Sequence, residues 1–285
     1  MRRRSIFPWA LAVWAVLAAQ PAWAAPKAEL WARWLAHDPA SALRVDHAEW
    51  GRFLANHLVR GADGVNRLRY GGVTPGDRKA LAGYVERLAG TPVRLLGRPE
   101  QLALWINLYN ALTVQVILDH YPVNTILRVN ISPGWFAVGP WGKAVGPWGK
   151  KLVRVAGEEL SLDDIEHRIL RPIWRDPRIH YAVNCASIGC PNLAAAPYTA
   201  ASAGAMLTEG ARAYVNHPRG VHITEYGPVV SSIYHWYAED FGGTDAGVLA
   251  HLRRYAAPDL AARLAQFSRL ADHAYDWDLN EAPAP

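Results

Sequence analysis

Pro99-Glu100-Gln101-Leu102-Ala103-Leu104-Trp105-Ile106-Asn107-Leu108-Tyr109-Asn110-Ala111-Leu112 reads as the opening of one long helix that runs to His120. Pro99 suits a first turn, where its missing N–H costs nothing, and Glu100 sits well against the positive end of the helix dipole. Nearly every other side chain is apolar, which predicts a helix packed by protein on most sides. At about 100° per residue, Glu100, Asn107 and Asn110 fall on one stripe. A buried amide without partners costs about 1–3 kcal/mol. The stripe therefore predicts clamps on neighbouring loop backbone, the lining of a polar site, or both.

Working outward, apolar groups recur at helical spacing over 28–37, 46–59 and Asp77–Leu88, and Gly90-Thr91-Pro92 closes the last. Residues 130–151 are rich in Gly, Pro and Trp and hold a tandem copy, Val138–Ala144 followed by Val145–Lys151. Two copies are too few for a solenoid, so the repeat reads as a duplication within a surface loop. Lys151 to Leu160 reads as a hairpin. Ser161-Leu162-Asp163-Asp164 is a capping box with Asp standing in for Glu, opening a helix over Leu162–Leu170 that Pro172 should stop. Arg178 to Asn184 alternates like a strand. A helix over 199–216, a hairpin turning at Tyr226-Gly227-Pro228, and helices over 231–241, 245–255 and 258–267 follow.

Helices with a few short hairpins predict an α+β fold. The expectation is a helix-rich single domain over 25–280 with a small antiparallel sheet of hairpins, distantly papain- or transglutaminase-like in layout. Residues 281–285 would be a loose tail. The nucleotide-binding glycine motifs and the serine elbow of α/β-hydrolases do not occur in the sequence.

Residues 1–24 read as a leader. Arg2, Arg3 and Arg4 precede an apolar run from Ile6 to Ala19, and Ala22-Trp23-Ala24 fits a small-x-small cleavage pattern. The run is too short to cross a bilayer, which takes about 20 residues. A periplasmic or secreted location is expected, with no stable membrane span after cleavage. The chain carries 30 Lys+Arg against 25 Asp+Glu; losing three leader arginines and no acid leaves 27 against 25. That +2 balance, without a basic cluster, argues against nucleic acid. An unidentified small molecule, peptide or envelope polymer is the expected partner. No cofactor is implied.

Both cysteines of the chain lie five positions apart, Cys185 and Cys190, in Asn184-Cys185-Ala186-Ser187-Ile188-Gly189-Cys190-Pro191. A nucleophilic Cys185 needs a base and a group that orients it. His167 and His180 are the candidate bases; Glu100, Glu166, Asn107 and Asn110 are the candidate orienting or oxyanion groups. On a strand, His180 has opposite parity to Cys185, which favours His167. An oxidising compartment and an even cysteine count equally predict a Cys185–Cys190 disulfide, either a clasp or a redox-active pair. A metal site is disfavoured, because the spacing is too long and no histidine pair stands beside the thiols.

Several segments together resemble the domain-of-unknown-function family 547. They are Leu104–Leu112, Leu162–Arg171 with Ile165-Glu166-His167, Arg178-Ile179-His180 leading to Asn184-Cys185-Ala186-Ser187, and Cys190-Pro191. Trp236-Tyr237 with Asp240-Phe241, and Tyr275-Asp276-Trp277 with Leu279-Asn280, complete the likeness, which extends from about Leu43 to Asn280. His235 stands where the family more often has lysine, and the 138–151 repeat looks like an addition. The resemblance implies positions and no reaction. Two functions remain open: a thiol-dependent hydrolase or acyl transferase using Cys185 and His167, and a non-catalytic envelope-binding module carrying a Cys185–Cys190 disulfide.

Overall fold

The computed structural model describes residues 26–129, 131–132 and 146–283. The expected leader, and the first copy of the loop repeat, lie outside the described residues. Helix α1 (Ala48–His57) leads into a two-stranded antiparallel pair, β1 (Leu58–Arg60) and β2 (Asn66–Leu68). Helix α2 (Pro75–Ala89) starts at Thr74, whose hydroxyl accepts from the Asp77 N–H. It packs on α3 (Arg98–His120), the long helix expected from the sequence. A second antiparallel pair, β3 (Val153–Val155) and β4 (Glu158–Leu160), follows.

Helix α3 is the axis of the larger apolar cluster. Trp105, Ile106, Leu108 and Ile117 lie fully inside, against Trp50, Leu54, Leu81, Tyr84, Leu88, Ile165 and Ile169. By length and composition α3 would pass as a membrane span, but its apolar window is 94% buried in the fold. Its hydrophobicity is thus accounted for by core packing. A second cluster gathers Tyr181, Tyr214, Tyr234, Phe241, Leu249 and Leu252. It is built by α5 (Ala203–Val215), the hairpin β5 (Val221–Thr224) and β6 (Gly227–Ser231), α6 (Ser232–Trp236), α7 (Asp245–Tyr255) and α8 (Pro258–Leu264).

The architecture is α+β and helix-rich, as expected, but among the described residues its strands fall in three separate small sheets. A papain- or transglutaminase-like layout is not shown by them. One pairing is parallel: β7 (Asp272–Ala274) lies beside β6, reached by the long crossover through α6, α7 and α8. Parallel pairs need such crossovers, so no local turn signal could announce this strand.

The buried amides behave as backbone clamps. Asn107 Nδ2 donates to Tyr198 O at 2.8 Å while Asn107 Oδ1 accepts from Tyr198 N at 3.0 Å. Asn110 does the same between two residues, donating to Ala182 O at 2.8 Å and accepting from Asn184 N at 2.9 Å. Glu100 Oε1 accepts from Val45 N at 2.7 Å, holding the segment before α1 rather than the thiol loop.

Four expected elements are corrected. Over 28–37 only a 3-10 turn forms, Ala32–Leu35, because Glu29 N and Trp31 N donate instead to the carbonyls of His167 and Arg168. Those carbonyls are free because Asp164–Leu170 winds as a π-helix, with Arg171 N bonding Glu166 O. In that wider register His167 O would face the nitrogen of Pro172, which has no hydrogen to give. Pro172 does not end the helix, which continues as α4 (Arg171–Trp174) with proline in its first turn. The expected strand over 178–184 is a 3-10 helix, Pro177–Tyr181, capped by the Asp176 carboxylate on Arg178 N. No partner strand lies beside it, so the parity argument that set His180 apart from Cys185 has no basis. The helix expected over 231–241 breaks into α6 and a 3-10 turn, Ala238–Phe241.

The capping box forms as read: Asp164 Oδ2 accepts from Ser161 N and Ser161 Oγ accepts from Asp164 N. At the other end, packing extends past 280. Ala282 N donates to Leu68 O, and Tyr121 Oη donates to Glu281 Oε1 at 2.6 Å.

Asn110→Ala should strip partners from two buried backbone groups. The expected loss is about 2–6 kcal/mol, at about 1–3 per unpaired group. Urea unfolding checks it, and a loss under about 1 kcal/mol would mean the loop finds other partners.

Candidate functional site

The thiol loop is held from all sides. Asn184 Oδ1 accepts from Ala186 N at 2.9 Å, and Asn184 Nδ2 donates to Pro191 O at 2.8 Å. The C-terminal segment runs alongside: Ile188 N bonds Asp278 O, Gly189 N bonds Asp276 O, and Asn280 N bonds Ala186 O. A Cβ on Gly189 would meet the Asp276 backbone at 2.8 Å, so only glycine permits this approach. Ala186, directly after Cys185, has φ of 61°. A left-handed non-glycine residue costs on the order of 1–3 kcal/mol and persists only where its surroundings dictate it.

Within that loop Cys185 and Cys190 stand at disulfide distance, with Cα atoms 6.3 Å apart. Cys185 is partly exposed and Cys190 is buried. Cys185 Sγ is 3.1 Å from Ser187 Oγ and 3.1 Å from Tyr275 Oη; Tyr275 Oη also reaches Cys190 Sγ at 3.2 Å. Neither sulfur is within hydrogen-bond reach of an imidazole among the described residues. Glu100, Asn107 and Asn110 are not at the sulfurs; of the three, Asn110 reaches the loop only by holding Asn184 N.

Glu166, His167 and His180 do come together, with partners that sequence reasoning did not name. His180 Nε2 donates to Asp240 Oδ2 at 2.7 Å, and its Nδ1 lies 3.6 Å from Glu166 Oε1. Its ring stacks on Tyr237 at 4.3 Å. Arg171 Nε donates to the same Asp240 oxygen at 2.6 Å, and Arg171 Nη1 donates to His167 Nδ1 at 3.1 Å. Since a guanidinium only donates, His167 must carry its proton on Nε2, the nitrogen 3.6 Å from Asp163 Oδ1. The π-helix and α4 thus present three side chains to separate partners: Arg171 reaches Asp240 in the Ala238–Phe241 turn, Glu166 lies near His180, and His167 lies against Tyr237.

The charges follow from these contacts. Burial works against a charged His180, but the Asp240 and Glu166 carboxylates outweigh it and raise its pKa. His167 is lowered to about 4, by burial first and then by Arg171 and His180, and is neutral at pH 7. Burial pushes Glu166 up, and the imidazoles with Arg171 reverse this to about 2. Asp240 ends at about 2 in the same way, against its burial, through His180 and Arg171. Asp163 moves oppositely, up to about 7, through burial and the neighbouring Glu166 and Asp164. Two carboxylates one helical turn apart are therefore driven in opposite directions, a pattern associated with acid–base sites.

An aromatic rim links the two clusters. Tyr275 packs on Trp236 at 4.8 Å and on Trp277 at 4.6 Å, and Trp148 meets Trp277 at 6.0 Å. Asp163 N bonds Trp148 O, bringing the second loop copy to the same rim. All four rings are partly exposed. Among the described residues, no group of three or more His, Cys, Asp or Glu side chains is arranged to hold a metal ion.

Against known families, residues 93–215 match the model described as "Protein of unknown function, DUF547". This segment is a DUF547 domain. It spans α3, the π-helix, the thiol loop and α5, and so holds Glu166, His167, His180, Cys185 and Cys190. Tyr237, Asp240 and Tyr275 lie C-terminal to the matched DUF547 segment, although the sequence resemblance extended to them. No curated protein and no solved structure matches the chain. Asp163, Asp240 and Arg171 were missed as site residues. Asp163 and Arg171 fell within the Leu162–Arg171 segment of the resemblance and Asp240 within its Asp240-Phe241 pair, but nothing in the sequence joined Asp240 to His180, 60 residues before it.

Between about pH 4 and 7 the folded state holds a proton on Asp163 that the unfolded chain has released, so this group makes stability decline as pH rises through that window, against the opposite contributions of the buried neutral His47, His167 and His251. Solvent at this partly exposed carboxylate moderates the size. Asp163→Asn should flatten the decline, as read by melting temperature against pH for both proteins; parallel curves would remove Asp163 from the account.

Proposed function

We propose that the chain is an exported thiol-dependent hydrolase or acyl transferase in which Cys185 is the nucleophile. The observation that carries this reading is the placement of a partly exposed Cys185 on a loop strained at Ala186 and fixed by Asn110, Asn184 and Asn280. Strain held in place by surrounding structure is a common property of reactive sites. The loop opens beside an aromatic rim suited to an extended substrate and beside a buried set of ionised groups.

Of the two histidines His167 is the neutral one at pH 7, whereas His180 is held charged by two carboxylates; to act as base His167 would have to release the Arg171 hydrogen bond from Nδ1, its one lone pair. Acyl transfer would require the bond to Cys190 to be reduced and the Cys185 side chain to turn toward His167, directly or through one water. Before that turn, the Ser187 and Tyr275 hydroxyls each lie 3.1 Å from Cys185 Sγ, where either can donate to it. The leader reading places this chemistry in the periplasm or outside the cell.

The pairing of the sulfurs favours a second reading, a non-catalytic envelope-binding module with a structural Cys185–Cys190 bond and the tryptophan rim as its contact surface. Thiol counting on protein isolated with and without reductant separates the two.

After reduction, iodoacetamide should label Cys185 quickly near neutral pH, and Cys185→Ser should bind substrate without turnover. His167→Ala should lower kcat by about 10²–10⁴, the usual worth of a general base. Because His167 stays neutral down to about pH 4, the rate should hold between pH 7 and 6. Slow labelling of a demonstrably free thiol would remove the catalytic reading.

A further inference from the structure

The two sulfurs occupy unlike environments. Cys185 is partly exposed beside the aromatic rim, whereas Cys190 is 4% exposed. Cys190 Sγ accepts from the Cys185 backbone N–H at 2.9 Å and from Tyr275 Oη at 3.2 Å. Burial alone would make a sulfur a poor place for negative charge. Two donors aimed at it supply what an emerging thiolate needs. Tyr275 is kept protonated, its pKa raised chiefly by burial, so it remains a donor.

We infer that Cys185–Cys190 is an exchangeable disulfide that reacts with small or protein thiols, attacked at Cys185 with Cys190 as the leaving thiolate. This activity is independent of acyl transfer. The incoming thiolate forms a bond to Cys185 Sγ along the open side while the Cys185–Cys190 bond breaks. The electron pair goes to Cys190 Sγ, where the Cys185 N–H and the Tyr275 hydroxyl receive it before it takes a proton from water. A second thiolate then displaces Cys185 from the mixed disulfide and Cys185 is protonated in turn. The balance is two substrate thiols converted to one disulfide, and one protein disulfide converted to two thiols. Exchange rates depend on which sulfur is accessible and on how well the leaving thiolate is stabilised; here Cys185 is the more exposed cysteine and Cys190 Sγ is the sulfur that receives a backbone N–H, with Tyr275 Oη within reach of both.

The remainder of the loop supports reversibility. Asn110, Asn184, Asn280 and the Asp276–Asp278 backbone hold its conformation without help from the sulfur bond. Opening the bond therefore leaves the two cysteines positioned to close again.

The test uses the full chain in glutathione buffers of varied ratio, quenched in acid, alkylated and read by intact mass and peptide mapping. In the unaltered protein, reduced glutathione should appear transiently on Cys185 and then give two free thiols. Cys190→Ser treated with oxidised glutathione should accumulate one adduct on Cys185. Cys185→Ser should acquire its adduct on Cys190 at least about tenfold more slowly, given the burial of that sulfur. Tyr275→Phe should shift the equilibrium toward the disulfide by about fivefold, the worth of one net hydrogen bond of about 1 kcal/mol. Far-ultraviolet circular dichroism verifies that each variant is folded. A bond that survives reduced glutathione in the folded chain, or adducts that form equally fast at both positions, would overturn the inference. A protein that exchanges thiols but turns over no ester or amide would uphold it while removing the hydrolytic reading.

Discussion

A buried amide left unpaired is costly, and two of those on α3, Asn107 and Asn110, lie against loop backbone. Asn107 and Asn110 solve this by pairing with loop backbone as one strand would pair with another, donating and accepting at once. The consequence reaches beyond satisfaction of polar groups. Asn107 fixes the chain at Tyr198, and Asn110 fixes both ends of the short segment between the His180 turn and Cys185. The conformation of the thiol loop is thus set by the most deeply buried helix in the molecule.

A second constraint comes from proline. The π-helical winding ahead of Pro172 frees carbonyls that the N-terminal segment caps through Glu29 and Trp31. It also sets the angular spacing of Asp163, Glu166, His167 and Arg171. Arg171 and His180 meet at one oxygen of Asp240, which joins the π-helix, the Pro177–Tyr181 turn and the Ala238–Phe241 turn at a point. Buried charges are tolerable when they are paired and hydrogen-bonded in this way, and costly when a partner is removed. The cluster therefore fastens the two apolar clusters to each other while leaving His167 uncharged and Asp163 near its midpoint at neutral pH.

Long amphipathic helices were legible because periodicity is a local property repeated many times. The extents of α1, α2, α3, α5 and α7 follow the sequence pattern closely, as does the capping box at Ser161. Short elements were not. Arg178–Asn184 alternates like a strand, yet strands exist only where a partner offers its backbone, and here Asn184 N goes to a side-chain amide instead. Trp31 and Trp34 have helical spacing, but the N–H groups nearby are claimed by the carbonyls a proline left free.

The sequence by itself determined the α+β composition, the central buried helix, the two short hairpins and the place of both sulfurs on one loop. These depend on side-chain pattern and turn chemistry within a few residues. Tertiary structure alone decided that His180 answers to Asp240, that Tyr275 touches both sulfurs, and that β7 pairs in parallel with β6. Each joins residues more than 40 positions apart, and only the folded path of the chain brings such groups within the few ångströms over which hydrogen bonds act.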